Sequence, residues 1–223
     1  LQITKPFRRC FSIVMVIAGA AACRSAQVSS GAPPIVQPGA PGEATQVISA
    51  VKAVDLSKVQ HTDADVKFMQ GMIGHHSQAV EMVELLKTRT ASEDMKKLGL
   101  RIELSQEDEI KMMQRWLQVR GQEVPGPHAM HMAGAHLMPG MLTEEEMTKL
   151  AAAKGSEFDR LFLEGMIKHH GGALTMVEEL FATPGAGQEV EIFSFASDVD
   201  ADQRMEIDRM GAMLNAIAKE RQR

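Results

Sequence analysis

From His61 onward the apolar positions recur at steps of three and four. Phe68, Met72, His76, Ala79, Val83 and Leu86 fall on one face of a helix running roughly from Asp63 to Thr88. Thr90 and Glu93 have capping-box spacing and start a second helix that carries Leu98, Ile102, Ile110, Met113 and Leu117 until Gly121 ends it. The two helices form an αα-hairpin. A second hairpin follows: Phe158 to Phe181, a turn at Thr183-Pro184-Gly185, and a return helix from roughly Glu189 to Lys219. Between the hairpins lie a Pro- and Gly-rich connection, Val124 to Leu142, and a short helix capped by Thr143-Glu144-Glu145-Glu146.

The second hairpin repeats the first. Asp65 to Leu86, shifted by 94 residues, is identical to Asp159 to Leu180 at 12 of 22 positions. Gln106, Glu109, Ile110, Met113 and Leu117 return at a shift of 97 as Gln203, Glu206, Ile207, Met210 and Leu214, the three extra residues falling in the turn. One supersecondary unit has been duplicated. The expected fold is all-α: an antiparallel four-helix bundle over residues 61–223, built from half-repeats 61–121 and 143–219, with a disordered N-terminal leader.

The pattern before residue 61 is different. Lys5, Arg8 and Arg9 precede an apolar run of 12, Phe11 to Ala22, which reads as a signal peptide over residues 1–22 and is too short for a membrane span of roughly 20 residues. Ala20-Ala21-Ala22-Cys23 is similar to a bacterial lipobox, which predicts lipidation of Cys23 and a membrane-anchored protein of the cell envelope; Ala20, where Leu is usual, keeps ordinary cleavage after Ala22 as the alternative. Without residues 1–22 no second cysteine remains for an intramolecular disulfide. Residues 23–60 are rich in Ala, Gly, Ser and Pro, and Pro33, Pro34, Pro38 and Pro41 oppose helix and strand, so a flexible tether is expected.

Charge removes one class of partner. The whole chain has a net charge of −5, and loss of the three leader cations leaves 21 basic against 29 acidic residues. Nucleic acid, which requires a basic face, is not an expected partner.

Both copies keep Met72, His75 and His76, repeated as Met166, His169 and His170. A four-residue step aims two side chains at one point about 6 Å apart, so Met72 pairs with His76 and Met166 with His170; His75 and His169 lie about 100° further round. With the turn near Thr90, Gln106, Glu109, Gln203, Met205 and Glu206 are the polar or soft groups opposite these levels. Isolated methionines such as Met82, Met113, Met176 and Met210 are core residues on this reading. Adjacent imidazoles buried twice need partners, and metal is a common one.

A second cluster occupies the connection. From His128 to Met141, seven of 14 residues are His or Met, among them His128, Met130, His131, Met132, His136 and Met138. Methionines in an exposed loop have no packing reason to gather. Thioethers select soft ions, and with no thiolate in the mature domain the combination with imidazole points to copper as Cu(I), extending to Ag(I). No Glu stands three residues before any histidine, which disfavours a di-iron centre. Gly-x-Ser-x-Gly and phosphate-binding glycine loops are lacking too, so no catalytic residue is assigned.

Phe68-x-x-x-Met72-Ile73-x-His75-His76-x-x-Ala79-x-x-Met82, its copy from Phe162 to Met176, and Gln106-x-x-Glu109-Ile110-x-x-Met113-x-x-Trp116-Leu117 resemble the domain-of-unknown-function 305 family of bacterial envelope proteins. The resemblance covers about His61 to Ile217. It implies a ferritin-like bundle in which some members bind copper or silver through Met and His and serve copper tolerance, and it carries that pattern onto Met72, His75, His76, Met166, His169 and His170. Met213 stands where the second copy would repeat Trp116. The expected function is sequestration or hand-over of Cu(I), not catalysis; the competing classes are a ferritin-like redox enzyme and a metal-free interaction module of the envelope.

Overall fold

The computed structural model describes residues 33–37, 44–54, 59–126 and 137–221. The leader, Cys23, and His128, Met130, His131, Met132 and His136 of the connection lie outside the described residues.

Residues 1–54 and 55–223 are separate compact units. In the first, part of the expected tether is ordered as a small hairpin: β1 (Ile35–Gln37) pairs antiparallel with β2 (Gln46–Ile48), setting Ile35 opposite Ile48 and Val36 opposite Val47. A four-residue helix, α1 (Ala50–Ala53), follows with Ser49 as its N-cap. The prolines permit this because Pro33 and Pro34 precede β1 and Pro38 follows it, so no ladder N–H is lost, while β-branched residues face each other across the strands.

The second unit holds α2 (Asp63–Arg89), α3 (Glu93–Val119), α4 (Glu144–Ala152), α5 (Gly155–Ala182) and α6 (Val190–Arg221). The hairpins α2–α3 and α5–α6 pack on each other mainly through α2 and α5. The capping box at Thr143 and Glu146 forms as expected. The start of α3 differs: Ser92 caps it by accepting from the Met95 N–H, while Thr90 ends α2 and its hydroxyl accepts from the Ser92 N–H. Ser92 sits directly before the first helical residue, where a side-chain oxygen reaches the free amides of the first turn. A capping box that spacing did not single out joins Thr62 and Asp65. The second oxygen of Asp65 accepts from the Gly187 N–H at 2.7 Å, tying the start of α2 to the α5–α6 turn.

Two apolar cores fill the bundle. One gathers Phe68, Met69, Met72, Ile73, Met113, Trp116 and Leu117 with Met176, Val177, Leu180 and Phe195. The other gathers Met82, Val83, Leu86, Ile102 and Leu142 with Phe158, Phe162, Leu163, Met166 and Met210. Residues before His75 on α2 meet residues after His170 on α5, and the reverse holds in the other core, so the two helices run antiparallel. The histidines lie between the cores. The halves pack unequally: Trp116 is buried, donates to Glu189 and carries the Arg120 guanidinium on its ring at 4.2 Å, whereas Met213 in the equivalent place is half-buried.

The end of the connection is held inside the bundle. The Gln78 amide donates to the Leu142 carbonyl at 2.9 Å and accepts from its N–H at 2.7 Å. Gly140, at φ +74°, lies against Gly172, and a Cβ on Gly172 would come within 1.9 Å of the Pro139 carbonyl oxygen. Only glycine fits there. We call residues 138–142 the strap.

Candidate metal centre

The helical register that buries α2 and α5 also buries Met72, His75, His76, Met166, His169 and His170, none more than 1% exposed. Helix geometry turns neighbouring residues apart. Within each pair the imidazole centroids are therefore 6.3 Å apart, for His75 with His76 and for His169 with His170. The close approach is between copies: His75 and His169 face each other at 3.8 Å, inclined by 38°.

Every one of the four rings spends its Nε2 on an oxygen. His75 donates to the Pro139 carbonyl at 3.0 Å and His169 to the His75 carbonyl at 2.9 Å. His76 donates to Glu109 at 2.5 Å and His170 to Glu206 at 2.7 Å. These oxygens have no proton to give, so Nε2 carries the hydrogen. A neutral ring of that tautomer has a bare Nδ1, and all four Nδ1 atoms are buried without a hydrogen-bond partner. That is the arrangement of a metal-ligating histidine, whose second nitrogen is oriented by a carboxylate or a backbone carbonyl.

Electrostatics keep the central rings neutral. Burial pushes His75 down from 6.5 to about 3, and the neighbouring His76 adds to the fall. His169 is driven well below its ordinary value by burial first, then by His75, His170 and His76. Burial pushes Glu109 upward, but hydrogen bonds from the His76 ring and the Ser105 hydroxyl outweigh it and hold the carboxylate below its usual range. Glu206 is approached by Arg101 at 3.5 Å.

Of the groups expected opposite the histidine levels, Glu109 and Glu206 make the contact. Gln106 and Gln203 are buried with their side-chain oxygens unpartnered, while Met205 is 53% exposed and takes no part. Met205 fails because the α6 register that turns Gln203 and Glu206 inward turns it to solvent. The Pro139 carbonyl and the Gln78–Leu142 pair have no signature in spacing; the one hint is that the copies differ there, with Gln78 in one and Gly172 in the other. Met138 is not a free loop residue either. Its sulfur packs beside Gly71 on α2.

Among the described residues, no three His, Cys, Asp or Glu groups converge on a point that would hold a metal ion. The soft side chains nearest these rings in sequence are the buried thioethers of Met72 and Met166. The donor set fits a soft monovalent ion. On the outer side, a groove of about 580 Å³ between α3 and α6 is lined by Asp108, Glu109, Asp198 and Asp202 together with Trp116 and Phe195. Asp202 is raised above the ordinary carboxylate range by burial first and then by Glu109 and Glu206. Glu109 belongs to both places, walling the groove and holding His76.

The model of the family described as domain of unknown function DUF305 matches residues 65–214. The chain belongs to the DUF305 family. A DUF305 crystal structure from Streptomyces coelicolor, described as a candidate secreted protein, shares 30% identity over 70% of this chain and 94% of its own, with a TM-score of 0.59. A DUF305 fragment from Deinococcus radiodurans shares 31% identity over 70% of this chain and 98% of its own, with a TM-score of 0.58. CopM in its Cu(I)-bound form shares 30% identity over 70% of this chain and 98% of its own, with a TM-score of 0.54; CopM is also known in Cu(II)-bound and Ag-bound forms. No curated protein matches the chain in a sequence comparison. The DUF305 domain is thus an all-helical bundle, as the duplicated periodicity predicts, in a family that includes a binder of copper and silver.

Proposed function

We propose that this DUF305 protein is an exported copper-binding protein that takes Cu(I), and Ag(I) as its analogue, for sequestration or hand-over. The observation that carries the reading is the set of four buried, bare Nδ1 atoms, each fixed by an oxygen at Nε2 and one helical turn from buried Met72 or Met166. An apolar setting between two cores favours an ion of low charge. The copper- and silver-bound CopM structures support the same ligand class.

The reading is of a binder, not a catalyst. Rings no more than 1% exposed between two apolar cores offer a small ion coordination but give a larger substrate no contact. The carboxylates of the α3–α6 groove raise the local concentration of cations beside Glu109. His128, Met130, His131, Met132 and His136 are assigned a second, weaker site on their composition alone.

Export rests on the basic and apolar leader, and on the relative described as a candidate secreted protein. Anchoring rests on Cys23. Cys23→Ser is expected to move the protein from the membrane fraction to the soluble fraction, and a wild-type protein already soluble with an unmodified Cys23 would rule the anchor out.

Competition titration with a Cu(I) chelator tests the ligand assignment. Met72→Leu with Met166→Leu keeps core volume and removes only sulfur, at a cost of under about 1.5 kcal/mol per site. Cu(I) affinity is expected to fall at least about tenfold in the folded variant, by analogy with losses seen when metal-orienting groups are removed. Unchanged affinity would make both methionines packing residues and sink the assignment.

A further inference from the structure

Gly71 and Gly165 occupy equivalent places in the two copies, and each is a notch filled by two side chains. A Cβ on Gly71 would lie 3.1 Å from the Met138 sulfur and 3.4 Å from the Met176 methyl carbon. A Cβ on Gly165 would lie 3.1 Å from Leu142 Cδ2 and 3.3 Å from the Met82 methyl carbon. Met82 and Met176 are themselves counterparts, so each notch receives the other copy's methionine and one residue of the strap. The layout repeats and the chemistry does not: two thioethers meet at Gly71, one at Gly165.

We propose that Met138 and Met176 form a separate soft-metal site at the Gly71 notch, present once per chain and taking Cu(I) or Ag(I) through two thioether sulfurs. The proposal rests on the copper-binding reading and adds a site distinct from the duplicated Met and His motifs. Both side chains border the space that a Cβ on Gly71 would fill. Thioether sulfur suits these ions and requires no deprotonation.

Position supports the assignment. Met72 and Met166 are sealed in the cores at 0% exposure, whereas Met138 is partly exposed and Met176 is at the edge of its core. An ion arriving from outside meets the notch first. Met138 is also held in place before any ion arrives. The next residue, Pro139, accepts from His75, Gly140 lies on Gly172, and Leu142 is paired twice with Gln78. A donor fixed in advance loses little conformational freedom on binding. It also ends one peptide unit from the carbonyl that orients His75, which links the notch to the histidine layer.

Ag(I) titration of the full chain, followed by native mass spectrometry and chelator competition, tests this. Met138→Leu and Met176→Leu should each lower the bound Ag(I) count by one, and the double variant should lose no more than either alone. Met82→Leu should lose none. Leu142→Met should add one ion by giving the Gly165 notch its second sulfur, and Gly71→Ala should weaken the site at least about tenfold with both methionines retained, the scale of a disturbed ligand support. These last two variants carry the test if Met176→Leu does not fold. An unchanged count in Met138→Leu or Met176→Leu, or a loss of two in the double variant, would overturn the paired site while leaving copper binding intact. A wild-type protein that takes up neither Ag(I) nor Cu(I) would overturn the copper reading itself, and the site with it.

Discussion

His75 and His169 face each other across the bundle at 3.8 Å, and the backbone carbonyl of His75 accepts the Nε2 proton of His169. The two copies of the motif are therefore not independent sites placed side by side. Each central imidazole is oriented by something outside its own copy: His75 by the strap, His169 by His75.

The first prediction concerns the carboxylates. Glu109→Gln and Glu206→Gln keep an oxygen for the imidazole N–H but remove the negative charge that raises ring basicity. Loss of an orienting carboxylate typically costs about 10–100-fold in metal affinity, and that range is expected for each variant in Cu(I) competition. Full affinity in both would mean that His76 and His170 do not hold metal.

The second is a pH dependence of folding. His75 has its folded value lowered to about 3, mainly by burial, and His169 is shifted the same way. Unfolded histidine titrates near 6.5, so between these values the unfolded chain binds more protons than the folded one. The sign follows: stability is level above about pH 7 and falls as pH drops from about 6.5 toward 3, at up to about 1.4 kcal/mol per unit for each histidine. Glu109, held low when folded, adds loss once pH passes below the ordinary carboxylate range. Urea denaturation of metal-free protein at several pH values checks this, and a constant unfolding free energy from pH 7 to pH 5 would contradict it.

The third separates two adjacent glycines of α5. A Cβ on Gly171 meets nothing within 4 Å, so Gly171→Ala should stabilise the helix by about 0.5–1 kcal/mol. The same change at Gly172 drives a methyl into the Pro139 carbonyl and should cost about 1–3 kcal/mol. Thermal melts of the two variants should move in opposite directions. Equal shifts would mean that the strap is not seated against α5.

The fourth concerns the metal itself. An ion that binds only the folded chain adds stability, about 2.7 kcal/mol at a free concentration of 100 times Kd. Ag(I) should raise the melting temperature, whereas Zn(II) should do so far less, because the described nitrogen and oxygen ligands do not converge in threes. A Zn(II) shift equal to that of Ag(I) would point to a hard-ligand cage instead.

Much of this arrangement was legible along the chain. The duplicated periodicity gave the bundle, Thr143 with Glu146 gave a cap, and counting back from the turn reached Glu109 and Glu206 within a residue of where they make contact. Helix spacing also placed the methionines and histidines of both motifs on the face that is buried. What it could not show is that His75 meets His169 rather than His76, because that contact depends on how two helices cross. The strap was beyond reach for a related reason: the Pro139 carbonyl and the Leu142 backbone work through main-chain atoms that every residue possesses. Met176 is the core residue that its spacing implied, but Met138 beside it at the Gly71 notch arrives from 38 residues earlier in the chain, which spacing does not reveal.

Gln78 and Gly172 stand at the same place in the two copies, and each is required by the strap for an opposite reason, one to grip its backbone and the other to let it pass. Two identical hairpins assembled as a symmetric dimer would have to carry the same residue at both places, so a single strap could not be both gripped and admitted. Joining the halves in one chain lifts that constraint. The fusion gives the molecule a front and a back, and with them a direction in which an ion could be passed.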